Sequence, residues 1–198
     1  MQASPLEIVL ASGSPRRAEL ARAEGWQVLV RPPPDEAEAT AAPRGPRESL
    51  EEFVIRLASV KAAAVVDAGA TGLLLACDTV GEVDGILLGK PVDRTDAARM
   101  LRALSGRTHR VVTGVCLWRI AGDGSRSEPL TGTAESTLFL PPLDEGFLEE
   151  YLASGLWQGK AGACGFQDGR IPLELRAGSP SNVVGLPLEL VREMLAKA

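Results

Sequence analysis

Short apolar runs of strand length alternate along this chain with segments of helical spacing, and that alternation limits the fold more than any other feature. LEIVLA, from Leu6 to Ala11, reads as a short buried strand. ASGSPRRAEL follows. Ser14 suits an N-cap and Pro15 the first helical position, so a helix is expected from Pro15 to Glu24, with Gly25 as its stop. WQVLVR is the next strand, and the proline- and acid-rich PPPDEAEATAAPRGPRE is a loop. From Pro46 onward, Leu50, Phe53, Val54, Leu57 and Val60 recur at helical spacing.

GLLLACDTV is a strand whose apolar run ends at Asp78, and Asp84-Gly85 marks a hairpin turn. RTDAARMLRALSG is a helix with an N-cap signal at Thr95 and a stop at Gly106. THRVVTGVCLWRI is a long strand, STLFL lies in another, and LDEGFLEEYLASG is a helix. LWQGKAGACGFQDG is a glycine-rich loop, and LPLELVREMLAKA is a closing amphipathic helix. No segment repeats. The order implies an α/β fold, and the hairpin and long strands favour a mixed sheet over a parallel one. No internal stretch reads as an interdomain linker, so residues 1–198 are taken as one domain.

A chain of 198 residues can bury a real core, and with aromatics at only 4% that core must be aliphatic. The net charge of −5 disfavours broad binding to nucleic acid but leaves room for a local anion pocket. Cys77, Cys116 and Cys164 are odd in number and far apart, which argues against a cysteine zinc site and fits reduced thiols in the cytoplasm. The first apolar run is short and carries Glu7, unlike a signal peptide, and no stretch has the length to span a membrane.

Four places could carry chemistry. In ASGSPRR, a turn of small residues enters a helix N-terminus beside Arg16 and Arg17, an arrangement that suits phosphate. The alternative is an ordinary capped helix with two solvated arginines. Asp78 stands at a strand end, where α/β folds tend to place site residues. It could hold a divalent cation or activate water, or simply cap a turn. Lys90 in LGKP could meet a phosphate, although the segment is not a P-loop because its glycine spacing is wrong and proline follows the lysine. GKAGACGFQDG offers close backbone approach, a charge at Lys160 and an amide at Gln167 able to read a base edge. His109, the only histidine, falls within a strand and reads as structural.

Taken in order, LASGSPRRAEL, the acidic pair Asp35-Glu36, RLASVKA with Lys61, ACDTV, DGILLGKP, LSGRTHRVVTGV, GKAGACGFQDG and GSPSNVVGLPLELV resemble the blocks of the Maf family of nucleoside triphosphate pyrophosphatases over nearly the whole chain. The resemblance implies an elongated mixed β-sheet flanked by helices, with two lobes around a cleft, as in Maf and ITPase-like folds. It also implies cleavage of a nucleoside triphosphate to the monophosphate and pyrophosphate with Mg²⁺ or Mn²⁺, and a homodimer. By resemblance Asp78 is the catalytic base and, with Glu36, a metal ligand. Ser12, Arg16, Lys61 and Lys90 would bind the triphosphate, and Thr79 and Gln167 the base. Arg16, Thr79 and Gln167 resemble the branch acting on dTTP and UTP; 7-methyl-GTP, a modified pyrimidine nucleotide, or a regulatory role in septum formation are the alternatives. Val60, Gly81 and Cys164 depart from the family pattern, which places a glutamate, an apolar residue and an aromatic there.

Overall fold

In a computed structural model, which describes residues 5–34 and 42–197, the strands and helices alternate as expected. β1 (Glu7–Leu10) leads into α1 (Pro15–Ala23) and β2 (Gln27–Val30). Then follow α2 (Leu50–Asp67), the long β3 (Gly72–Val83), β4 (Ile86–Leu88) and α3 (Arg94–Leu104). β5 (Arg107–Ile120), β6 (Leu130–Leu140), α4 (Glu145–Ala153), β7 (Glu174–Ala177), α5 (Pro180–Val184) and α6 (Leu188–Leu195) complete the order. The strands form one seven-stranded sheet, β2-β1-β3-β5-β6-β7, with β4 paired to β3. It is mixed, because β1 runs parallel to β2 and β3 while β3–β4 and β6–β7 are antiparallel.

Chain contacts divide the residues into two compact units. The first comprises Met1–Asp78, Thr113–Ala134 and Gly185–Ala198; the second comprises Thr79–Val112 and Glu135–Val184.

In the first unit the two-residue period of the strands sorts side chains onto opposite faces. Ile8 and Leu10 of β1, Leu73, Leu75 and Cys77 of β3, and Val115 and Leu117 of β5 pack with Ala18 and Ala21 of α1 and with Leu188, Val191 and Met194 of α6. The alternate residues Val9, Leu74, Ala76 and Cys116 pack instead with Ala58, Ala62, Val65 and Val66 of α2. Strands covered on both faces read as unbroken apolar runs, which is why LEIVLA and GLLLAC look as they do. The approach of α2 to the sheet is close. A Cβ on Gly114 of β5 would overlap the Val54 carbonyl group and lie 2.6 Å from the Ile55 nitrogen, so only glycine fits there.

The second unit has its own core. Val83, Leu88, Met100, Leu101 and Leu104 pack with Leu140, Leu148, Tyr151, Leu152 and Trp157. The β3–β4 hairpin turns at Asp84 and Gly85, both at positive φ, as the Asp-Gly pair demands. Gly81 costs β3 nothing sterically: an added Cβ would meet Leu88 at an ordinary 3.5–3.6 Å. His109 is buried, and burial pushes its pKa down, in keeping with a structural role.

Two helix starts differ from the sequence reading. α2 begins at Leu50 rather than near Pro46, because Ser49 and Glu52 form a reciprocal capping box. α3 is capped by Asp93, whose carboxylate accepts from the Asp96 N–H at 2.8 Å, so the cap lies two residues before Thr95. β7 and α5 were not anticipated, being too short to show a period.

Candidate active site

Asp78 lies in mid-strand, five residues before β3 ends, and not at the strand end that the sequence implies, because the chain stays extended into the β3–β4 hairpin; the parity of β3 decides where it points. Leu74 and Ala76 face α2, so Asp78, two further on, faces it as well. On α2, Lys61 falls on the buried stripe with Val54, Ala58, Ala62 and Val65. The two therefore meet: the Lys61 ammonium donates to Asp78 Oδ1, with the side chains only 8% and 14% exposed. A lysine on the apolar stripe of a helix is tolerable only with a partner, and a buried ion pair is a poor device for stability alone.

The β1–α1 turn lies in the same unit. Ser12 is buried, and its Oγ accepts from the Ser14 N–H at 3.2 Å and from the Arg17 guanidinium at 3.1 Å. Ser14 takes the N-cap position of α1, as its spacing implied, but its side chain makes no cap hydrogen bond. Arg16 is half-buried on the first turn of α1. An anion at this end of α1 would meet the positive end of the helix dipole and a neighbouring guanidinium.

Arg17, which the sequence groups with Arg16 as a phosphate candidate, ties the turn together. Besides Ser12 it donates to the Cys77 carbonyl at 2.9 Å and to the Gly185 carbonyl at 2.7 Å. It thereby holds the carbonyl that directly precedes Asp78. Its signal in the sequence was only its adjacency to Arg16. Cys77 itself is no nucleophile, since burial pushes its thiol up to about 11.

Thr79, Lys90 and Gln167 belong to the second unit. Thr79 is half-buried on β3, Lys90 is exposed just past β4, and Gln167 is exposed in the short 3-10 turn Phe166–Asp168. The Lys160 ammonium, a free charge in the sequence reading, is paired with Asp168. Cys164 is half-buried against the core of this unit, and desolvation pushes its thiol up to about 12. Glu36 and Asp35 lie outside the described residues.

Among the described residues no cluster of three or more His, Cys, Asp or Glu side chains could hold a metal unaided. That is compatible with Mg²⁺ or Mn²⁺, which commonly bind one or two carboxylates and complete their shell with water and substrate phosphates. Asp78 is the carboxylate suited to that role here.

A family model described as Maf-like protein matches residues 7–198. The chain belongs to the Maf family. This Maf protein is 46% identical over 194 residues to a dTTP/UTP pyrophosphatase of Rhodopirellula baltica, covering 97% of this chain and 82% of the relative. It is 40% identical to a dTTP/UTP pyrophosphatase of Symbiobacterium thermophilum, over 96% of this chain and 93% of that one. A dTTP/UTP pyrophosphatase of an Anaeromyxobacter species is 42% identical over 96% of this chain and 89% of its own. Among solved structures, a HAM1 protein from Coxiella burnetii shares the fold, with a TM-score of 0.50 and 19% identity over 98% of this chain and 100% of that one. No described helix of this Maf protein is long and apolar enough to cross a membrane.

Proposed function

We propose that this Maf protein is a nucleoside triphosphate pyrophosphatase that hydrolyses dTTP and UTP to the monophosphate and pyrophosphate. Three relatives of that name, each at least 40% identical, support the substrate class. The observation that carries the chemistry is the buried Lys61–Asp78 pair in the middle of β3, in the unit that also holds the Ser12 turn.

In this reading Asp78 accepts the proton of a water attacking the α-phosphorus, and the Lys61 ammonium fixes the carboxylate's orientation. Ser12, Arg16 and the N-terminus of α1 stabilise charge that builds on the phosphoryl oxygens as the α–β bond breaks. A divalent cation on Asp78, with Glu36 as its second ligand, would supply charge neutralisation and a more acidic water. Lys90 is assigned to phosphate charge, and Thr79 and Gln167 to the base, on their family positions. A hydroxyl and an amide suit the carbonyl and N–H edge of uracil and thymine, and cytosine would leave a polar group unpaired.

The test is pyrophosphate release from a panel of nucleoside triphosphates that includes 7-methyl-GTP, with and without Mg²⁺ or Mn²⁺. Wild type turns over UTP and dTTP with metal, and Asp78→Asn lowers kcat by about 100-fold or more while melting as a folded protein. Near-normal turnover in folded Asp78→Asn removes the base assignment. Preference for another triphosphate removes the substrate assignment.

A further inference from the structure

Resting on that reading of the function, we propose that the Lys160–Asp168 ion pair is a clasp that sets base discrimination by holding the backbone that carries Gln167. The pair closes residues 160–168 upon themselves within the second unit, with side chains 10% and 23% exposed. Lys160 is the residue before one 3-10 turn, Ala161–Ala163, and Asp168 is the last of the next, Phe166–Asp168. Gln167 directly precedes the acidic partner.

Three further features fit a backbone held in one shape. A Cβ on Gly165 would overlap the Asp168 carboxylate and come within 2.5 Å of the Lys160 ammonium, so the pair lies directly against the Gly165 α-carbon. The Tyr151 hydroxyl donates to the Ala163 carbonyl at 3.3 Å and accepts from the Gly165 N–H at 3.2 Å. Burial pushes that phenol up to about 12, so it stays a donor throughout the working pH range. Ala163 is fully buried at φ +60, a left-handed conformation costly for alanine that only surrounding contacts can maintain. A loop of small residues and glycines would otherwise sample many shapes, and an amide on a mobile backbone discriminates poorly between bases. Lys160 and Asp168 are thus positioning residues: they act through Gln167.

The test compares wild type, Asp168→Asn and Lys160→Gln. For each, kcat and KM are measured with UTP, dTTP and CTP, and binding of α,β-imido-UTP and α,β-imido-CTP is measured by calorimetry. Both variants should raise KM for UTP and dTTP about 10-fold, leave kcat within about 3-fold, and cut the preference for uracil over cytosine by a similar factor. Thermal melting identifies a variant that fails to fold, and the other variant then carries the test. An unchanged uracil-to-cytosine ratio in either folded variant overturns the clasp. So does a loss of kcat on all three triphosphates confined to Lys160→Gln, which would make Lys160 a phosphate ligand. Wild type that binds the imido analogues selectively without hydrolysing UTP would sink the proposed activity and leave the clasp standing. Wild type with no preference between the two analogues overturns the clasp itself.

Discussion

Gly114→Ala is the sharpest probe of how the packing of α2 supports the site. The new Cβ would stand 2.6 Å from the Ile55 nitrogen and closer still to the Val54 carbonyl, where ordinary contact begins near 3.4 Å. Those obstacles are helix backbone, which cannot rotate aside as a side chain would. Relief requires α2 and β5 to separate by about 1 Å, at a cost near the upper end of the range for overpacked cores, about 3 kcal/mol. α2 also carries Lys61, two turns beyond Val54, so the same shift draws the ammonium away from Asp78. A displacement of that size in a catalytic constellation costs on the order of 100-fold in rate. The assay is urea denaturation together with kcat/KM on UTP. Gly81→Ala is the control: it is the same exchange in a strand, but its Cβ meets Leu88 at 3.5 Å, and removing a strand glycine there should change stability by no more than about 1 kcal/mol, in the favourable direction. Equal denaturation midpoints for the two variants would refute the reasoning, because the difference between them is the backbone collision alone.

Two other predictions follow from buried charge and buried thiols. Lys61→Met should cost about 3 kcal/mol by stranding the Asp78 carboxylate, and the double variant Lys61→Met with Asp78→Asn should recover most of that loss; a single variant as stable as wild type would show that the pair is not buried in solution. Burial raises the Cys77 thiol from 9.0 to about 11, so its thiolate at pH 8 is about 100-fold rarer than an ordinary one, and iodoacetamide should modify it only after unfolding. The sign of the linkage follows: below pH 9 the thiol's contribution to stability is complete, and it is lost as pH rises toward 11, because the unfolded chain releases a proton that the folded chain keeps.

How much of this was legible beforehand depends on the range of the interaction involved. The strand ending at Leu10, the helix opening at Pro15, the hairpin at Asp84-Gly85 and the strand reaching Asp78 were readable, because each is set by period, by a cap or by turn chemistry within a few residues. The start of α2 was misplaced because Pro46 looks like a helix opening, whereas the Ser49–Glu52 box supplies the hydrogen bonds that begin it. β7 and α5, at four and five residues, are too short for a period to emerge.

The sequence by itself determined the alternation of elements, the mixed α/β architecture and the chemistry-bearing residue types, since these depend on local propensity and on which face of each element is apolar. Tertiary structure decided which of those residues meet. Lys61 and Asp78 are 17 residues apart, and only the docking of α2 on one face of the sheet, permitted by the missing side chain of Gly114, turns them into a pair. Arg17 holds the Ser12 turn and the carbonyl before Asp78, and Lys160 is engaged by Asp168. Nothing in the side chain of Arg17 announces that role. Its place on α1 sets the direction of the guanidinium, which matters only once β3 and Gly185 are packed beside the helix.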